Sequence, residues 1–276
     1  MSKILKSFNY LLLSFLSVIF LYPIFMVVIN SFKSKFNIIS SPFSLPNEET
    51  YVGFENYLVG IENSNLIESF SRTLIITVVS TLAIIILTSM TAWYLVKIKN
   101  KFTKLIYFLF LFSMVVPFQM IMFTLTNVCF QLGLNSVLGI TLVYVAFGSG
   151  LSIFMFYGFI KCIPKELEEA AIIDGCGPVK TFFYIIFPVL KPISITVAIL
   201  NAMWIWNDFL LPYLLLGSSN KTLSVAIQLA MQGAYGSIDW GGLMAMLVVA
   251  IIPIIIFYLI CQKYIIKGVI DGAVKG

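Results

Sequence analysis

Residues 105–160 read LIYFLFLFSMVVPFQMIMFTLTNVCFQLGLNSVLGITLVYVAFGSGLSIFMFYGFI, and none of these 56 residues is charged. As one helix rising 1.5 Å per residue the stretch would be about 84 Å long, nearly three times the roughly 30 Å hydrocarbon core of a bilayer. The chain must therefore fold back inside it. The polar stretch 127–136, with Gln131, Gly133 and Asn135, is the natural place, because Gly and Asn tolerate the left-handed backbone of turns. Two membrane spans are predicted, over about 105–126 and 138–160.

Working outward, residues 7–32 and 73–96 are equally free of charge and fit one span each, the first over about 10–32. A fifth span is expected over about 192–216, with one acid inside it, Asp208, and a sixth over about 241–262. The first apolar run is longer than a typical signal-peptide core and is followed by no small-residue cleavage site, so it is read as a retained helix. The expected fold is an all-α membrane protein with six transmembrane helices.

Composition leads to the same class. Apolar residues make up 60% of the 276, charged residues only 11%, and mean hydropathy is +1.02. A soluble domain carries about 25% charged residues, so a soluble enzyme and a disordered chain are both excluded. There is no His, which excludes His-based triads and His-ligated metal. Cys129, Cys162, Cys176 and Cys261 form no CxxC pair, so no zinc site or disulfide framework is expected.

Six spans put both termini on one side. With the termini in the cytoplasm, 13 Lys fall inside and only Lys33, Lys35, Arg72 and Lys221 fall outside, which the positive-inside rule favours. The same excess of Lys accounts for the net charge of +5 without any nucleic-acid partner. The first outer loop, about 33–71, is acidic and contains Pro42 and Pro46, and is expected to fold over on itself.

One inner connection is unlike the rest. Residues 161–191 read KCIPKELEEAAIIDGCGPVKTFFYIIFPVLK. Pro164 suits a first helical turn. Glu166, Glu168 and Glu169 lie where the helix dipole favours acids, and Gly175 is a C-terminal stop. Leu167, Ala170, Ala171 and Asp174 share a face by their spacing. A helix this short does not span. It packs either on its own protein or on another.

The run EAAIIDGCGPVKTFFYIIFP, with Glu169-Ala170-Ala171, then Gly175, then Phe187-Pro188, resembles the EAA motif. That motif belongs to the membrane subunits of binding-protein-dependent ABC importers. Trp206-Asn207-Asp208-Phe209-Leu210-Leu211-Pro212 resembles a stretch of the carbohydrate-uptake branch. The tail from Gly268 to Gly276 resembles the end of the maltose-type subunit that lacks a large external domain. The likeness covers most of the chain from about residue 70, with residues 1–70 matching in layout. Cys176 stands where Ala is more usual, and Phe187 where Leu is common.

The resemblance implies a type I importer permease fold. Residues 1–70 would supply the first helix and external loop. Residues 71–276 would form a five-helix core with the cytoplasmic EAA loop (161–191) and a cytoplasmic tail (263–276). It implies a multi-pass protein of the cell (inner, cytoplasmic) membrane that translocates a sugar or oligosaccharide delivered by an extracytoplasmic solute-binding protein. The implied partners are a second permease subunit in a heterodimer, two copies of an ATP-binding subunit, membrane lipid and the carbohydrate itself. No cofactor and no metal are implied. Glu169, Ala170, Ala171, Asp174 and Gly175 would form the surface that couples to the ATPase. The chain has no P-loop of its own, since GSSNKT at 217–222 lacks the second Gly. It is therefore read as a transport subunit rather than an enzyme.

Other polar residues keep two readings. Asp208 is either a hydrogen-bonded structural acid near the outer interface or part of a translocation path. Asn201 and Asn207 either bond between helices or line that path. Pro23, Pro117 and Pro253 are expected to kink their helices. A glycerol-phosphate or polyol importer permease is the nearest alternative function. A self-sufficient channel or ion-coupled carrier is the alternative from another class, although such a protein needs no docking loop.

Overall fold

The computed structural model describes residues 3–233 and 238–273. Among them the chain is helical, apart from turns and one antiparallel bridge between Lys33 and Tyr51. The helices begin with α1 (Lys3–Asn30), α2 (Lys35–Ser40), α3 (Glu55–Ser64) and α4 (Leu66–Lys97). Next come α5 (Lys101–Ser113), α6 (Phe118–Gln131), α7 (Val137–Ile160) and α8 (Glu166–Ile173). A π-helical turn, Thr181–Ile186, links α9 (Pro178–Lys180) to α10 (Phe187–Val189). The chain continues through α11 (Lys191–Asn207), α12 (Leu210–Leu216), α13 (Leu223–Gln232) and α14 (Trp240–Ala273).

Four unbroken helices are long and apolar enough to cross a membrane: α1, α4, α7 and α14. The total rises to six if two bent pairs each count as one span, α5 with α6 (bent 107°) and α9–α10 with α11 (bent 78°). The all-α fold with four to six spans thus agrees with the sequence reading, but two spans are not the single helices expected. At Pro117 the chain breaks rather than kinks. Proline has no N–H to give and drives the residue before it out of the helical region. Pro117 is itself extended (φ −63°, ψ 134°) and is the N-cap of α6. Pro23 and Pro253, by contrast, sit inside continuous helices. The expected turn over 127–136 is also shorter, since α6 holds as far as Gln131.

The expected fifth span over 192–216 is divided too. Asp208 is extended (φ −70°, ψ 128°) and separates α11 from α12. Its carboxylate takes the Leu210 N–H at 3.1 Å, which offers the backbone an alternative to the helical bond. The expected tail over 263–276 starts as a continuation of α14 as far as Ala273, and Val274, Lys275 and Gly276 lie outside the described residues.

The chain forms two compact units. One comprises residues up to Phe70 together with Val225–Ile255. At the end of α1, Asn30 donates to the Met26 and Pro42 carbonyls at 2.9 and 3.0 Å. Lys33 is fully enclosed (0% exposed). Its Nζ donates to the Ser41 carbonyl at 2.6 Å and to the Ser44 carbonyl and hydroxyl at 3.1 and 3.2 Å. Asn56 of α3 donates to the carbonyls of Ser31 and Lys33 at 2.8 and 2.9 Å. The loop after α1 is therefore a folded structure wound around a buried lysine. Burial holds that ammonium below the ordinary lysine value.

The other unit comprises Ser71–Ser224 and the chain from Ile256. Its core gathers Ile84 of α4, Tyr144, Ile153 and Phe156 of α7, Phe182 and Ile186 of the π turn, and Val197 of α11. α7 is central to it. A Cβ on Gly148 would lie 2.6 Å from both the Asn201 side-chain oxygen and the Ile84 Cδ1, so any side chain here would have to displace those two.

Two outcomes are expected. Gly148→Val overpacks that crossing and lowers stability by about 1–3 kcal/mol; an unchanged thermal midpoint in detergent would contradict the crossing. For Lys33, the unfolded chain binds the proton more tightly than the folded one. Stability should then climb as pH is raised through the lowered folded value, and level off above the ordinary lysine value. Lys33→Met should remove that part of the climb in thermal melts across alkaline pH.

Candidate functional site

The segment between α7 and α11 builds one exposed feature, α8. Its eight residues start after the N-cap Lys165, so Pro164 lies two positions before the first helical residue and not in the first turn expected for it. Lys165 accepts from the N–H groups of Glu168 and Glu169 at 2.9 and 3.0 Å. The other end is closed by backbone alone. The Cys176 N–H donates to the Ala171 carbonyl at 2.9 Å and the Gly175 N–H to the Ile172 carbonyl at 3.0 Å. This pair of bonds is a Schellman motif, and it needs a left-handed residue at its first position beyond the cap. Gly175 supplies it with φ +75°.

The faces of α8 are unequal. Ala171 is buried (1% exposed) and packs inward. Glu169, Ala170, Asp174 and Gly175 are exposed, and beside them Ile173 stands 85% exposed. The two adjacent alanines therefore do different things. Ala171 lets α8 lie close on its own protein, and Ala170 leaves the outer face shallow. α8 packs on the π turn. There the Phe187 N–H reaches back five residues to Phe182, the wider winding that accommodates Pro188 just beyond.

The residues that hold α8 in place include two from far away in sequence. Glu168 Oε1 accepts from the Trp93 indole N–H at 2.7 Å. Its Oε2 lies 3.3 Å from Lys97 Nζ. Lys97 also covers the Trp93 ring at 4.6 Å, and Trp93 meets Phe182 with ring centroids 5.5 Å apart. From sequence, Glu168 was only a favourable first-turn acid. The i, i+4 pair Trp93 and Lys97 at the end of α4 was the one available signal, and nothing local connects it to residue 168.

The three polar residues suggested for a path have different partners. Asn201 is buried (5% exposed) and donates to Ser152 Oγ at 3.1 Å and to the Val197 carbonyl at 2.9 Å. Asn207 is exposed and donates to the Met203 carbonyl of its own helix at 2.7 Å. Asp208 accepts from the buried Tyr144 hydroxyl at 2.9 Å, so it ties the α11–α12 break to α7.

Residues 84–271 match the family of binding-protein-dependent transport system inner membrane components. The chain belongs to this family. It is 40% identical over 94% of its length, and 93% of the relative's, to the "Probable starch degradation products transport system permease protein AmyC" of Thermoanaerobacterium thermosulfurigenes. It is 34% identical over 99% of its length, and 98% of the relative's, to the "Multiple sugar-binding transport system permease protein MsmG" of Streptococcus mutans. The fold is that of a chain from a bacterial ABC transporter involved in the import of the acidic polysaccharide alginate, with TM-score 0.82 and 24% identity over 96% of this chain and 98% of that one. As an inner membrane component with several apolar spans, the protein is a multi-pass resident of the cell membrane. The matched segment contains all of α8 and its closing turn.

Gly175→Val forces a β-branched residue to positive φ, a cost of about 1–3 kcal/mol. Backbone amides over 171–176 should then exchange hydrogen faster while the amount of membrane-inserted protein is unchanged. Unaltered exchange would show that the cap does not hold α8.

Proposed function

We propose that this protein is the permease half of an ATP-driven carbohydrate importer. The observation that carries the reading is its near end-to-end likeness to permease proteins named for starch degradation products and for multiple sugars. An importer permease implies an ATP-binding partner and a solute-binding protein. In our reading a second, different permease completes the membrane pair and two ATP-binding subunits sit beneath it. The substrate is a sugar or oligosaccharide handed over outside the cell. The chain itself serves as a conduit rather than an enzyme.

In this reading both termini, the Lys97 end of α4 and α8 lie in the cytoplasm. The count of 13 Lys on that side against four basic residues on the other supports it. Glu169, Ala170, Asp174 and Gly175 form the face that enters a cleft of the ATPase, with Ala171 as the inward support beneath it. Glu169 offers a charge to a cation there, and Ala170 permits close approach. The exposed Ile172 and Ile173 add apolar area to be buried on docking. Asn201 and Asp208 serve the fold through Ser152 and Tyr144, and Asn207 is the one of the three placed on an open face.

Reconstitution in liposomes tests the reading. The chain alone should hydrolyse no ATP and pass no sugar. With its partner permease, ATPase and binding protein, it should accumulate maltodextrin-type oligosaccharide only when ATP is supplied. Sustained flux through the chain alone would sink the proposal in favour of a self-sufficient channel.

A further inference from the structure

We infer that Glu168 is a positioning residue that transmits movement of α8 to the membrane span α4, separately from the face of α8 that docks. The inference rests on the proposal that α8 docks on an ATPase. The docking face is made by Glu169, Ala170, Asp174 and Gly175, all exposed. Glu168 points the other way. Both of its oxygens are engaged by the last turns of α4, one by the Trp93 indole N–H at 2.7 Å and the other by Lys97 Nζ at 3.3 Å.

The geometry suits a link under load. Trp93 is almost enclosed, braced by Phe182 on one side and Lys97 on the other. An indole donor to a carboxylate is directional and charge-assisted, and so stronger than a neutral pair. Lys97 is the last residue of α4, so the carboxylate grips the terminus of a 32-residue span. A push on α8 along the membrane surface therefore reaches α4 directly, as well as through the π turn on which α8 lies. Without the carboxylate, α8 could still enter its cleft, but it would slide over the Trp93 ring.

The test uses the complete reconstituted importer and compares wild type with Glu168→Ala, Glu168→Gln, Trp93→Phe and the Trp93→Phe/Glu168→Ala double variant. Three quantities are measured: co-purification with the ATPase, ATP turnover, and sugar taken up per ATP hydrolysed. Glu168→Ala should keep the ATPase bound and turning over while uptake per ATP falls about tenfold, the loss expected from one charge-assisted bond. Glu168→Gln keeps an acceptor for Trp93 and should fall between the two. The double variant should be no worse than Glu168→Ala, because both changes remove the same bond.

Wild-type uptake per ATP in Glu168→Ala would overturn the inference, and so would additive losses in the double variant. Loss of ATPase co-purification in Glu168→Ala alone would also overturn it, by making the carboxylate part of the docking face. Failure of the unmutated chain to hold any ATPase would be a different result, and would remove the docking proposal itself.

Discussion

Inside hydrocarbon no water is present to satisfy a backbone N–H or carbonyl, so each must find its partner within the protein. That constraint makes the apolar stretches helical and decides where their polar side chains turn. Thr88, Thr91 and Thr141 each return a hydroxyl to the carbonyl four residues earlier, at 2.6, 2.8 and 2.8 Å. Asn201 and Asn207 do the same with their amides. Such side chains find a partner on their own helix, whereas the buried hydroxyls of Thr77, Ser80 and Thr81 on α4 have none.

The same constraint gives meaning to the places where the helix stops. Each has a residue that removes or redirects a backbone bond. Pro117 lacks the donor, and the chain turns by 107° between α5 and α6. Pro188 lacks it too, and there the helix widens into a π turn before the chain bends by 78° into α11. Asp208 takes an N–H for its own carboxylate and gains the Tyr144 hydroxyl as a second partner. The breaks thus have three different local solutions. Two of them anchor on the core: the π turn carries Phe182 and Ile186 into it, and Asp208 reaches Tyr144.

Which parts were legible in the sequence follows from the range of the forces involved. Charge-free gaps mark α1, α4, α7 and α14 because the cost of placing a charge in hydrocarbon is local and large. The glycine stop of α8 could be read for the same reason, since caps are decided within a few residues, although its start was placed too early, at Pro164. The breaks at Pro117 and Asp208 were not legible as breaks. A proline inside an apolar run can kink or end a helix, and Pro23 and Pro253 lie inside unbroken helices in the same chain. The inward turn of Ala171 and the grip on Glu168 were out of reach for another reason. Both depend on what lies across from α8, and Trp93 is 75 positions away from its partner.

This difference in range bears on how α8 works. A helix of eight residues has too few internal bonds to offset its own nucleation cost, so it would not persist in isolation. Here it is held at three points of different character. Its C-terminus is closed by backbone bonds at Gly175, its inner face is seated at Ala171, and its first turn is tethered through Glu168. Two of the three lie away from the outer face and the third, at Gly175, uses only backbone bonds, so the side chains of that face stay free. A loosely held α8 could be gripped by a partner and still yield under it. In the docking we propose, one fixed at its end, its underside and its side would pass a force applied to Ala170 and Ile173 into the helices that hold it.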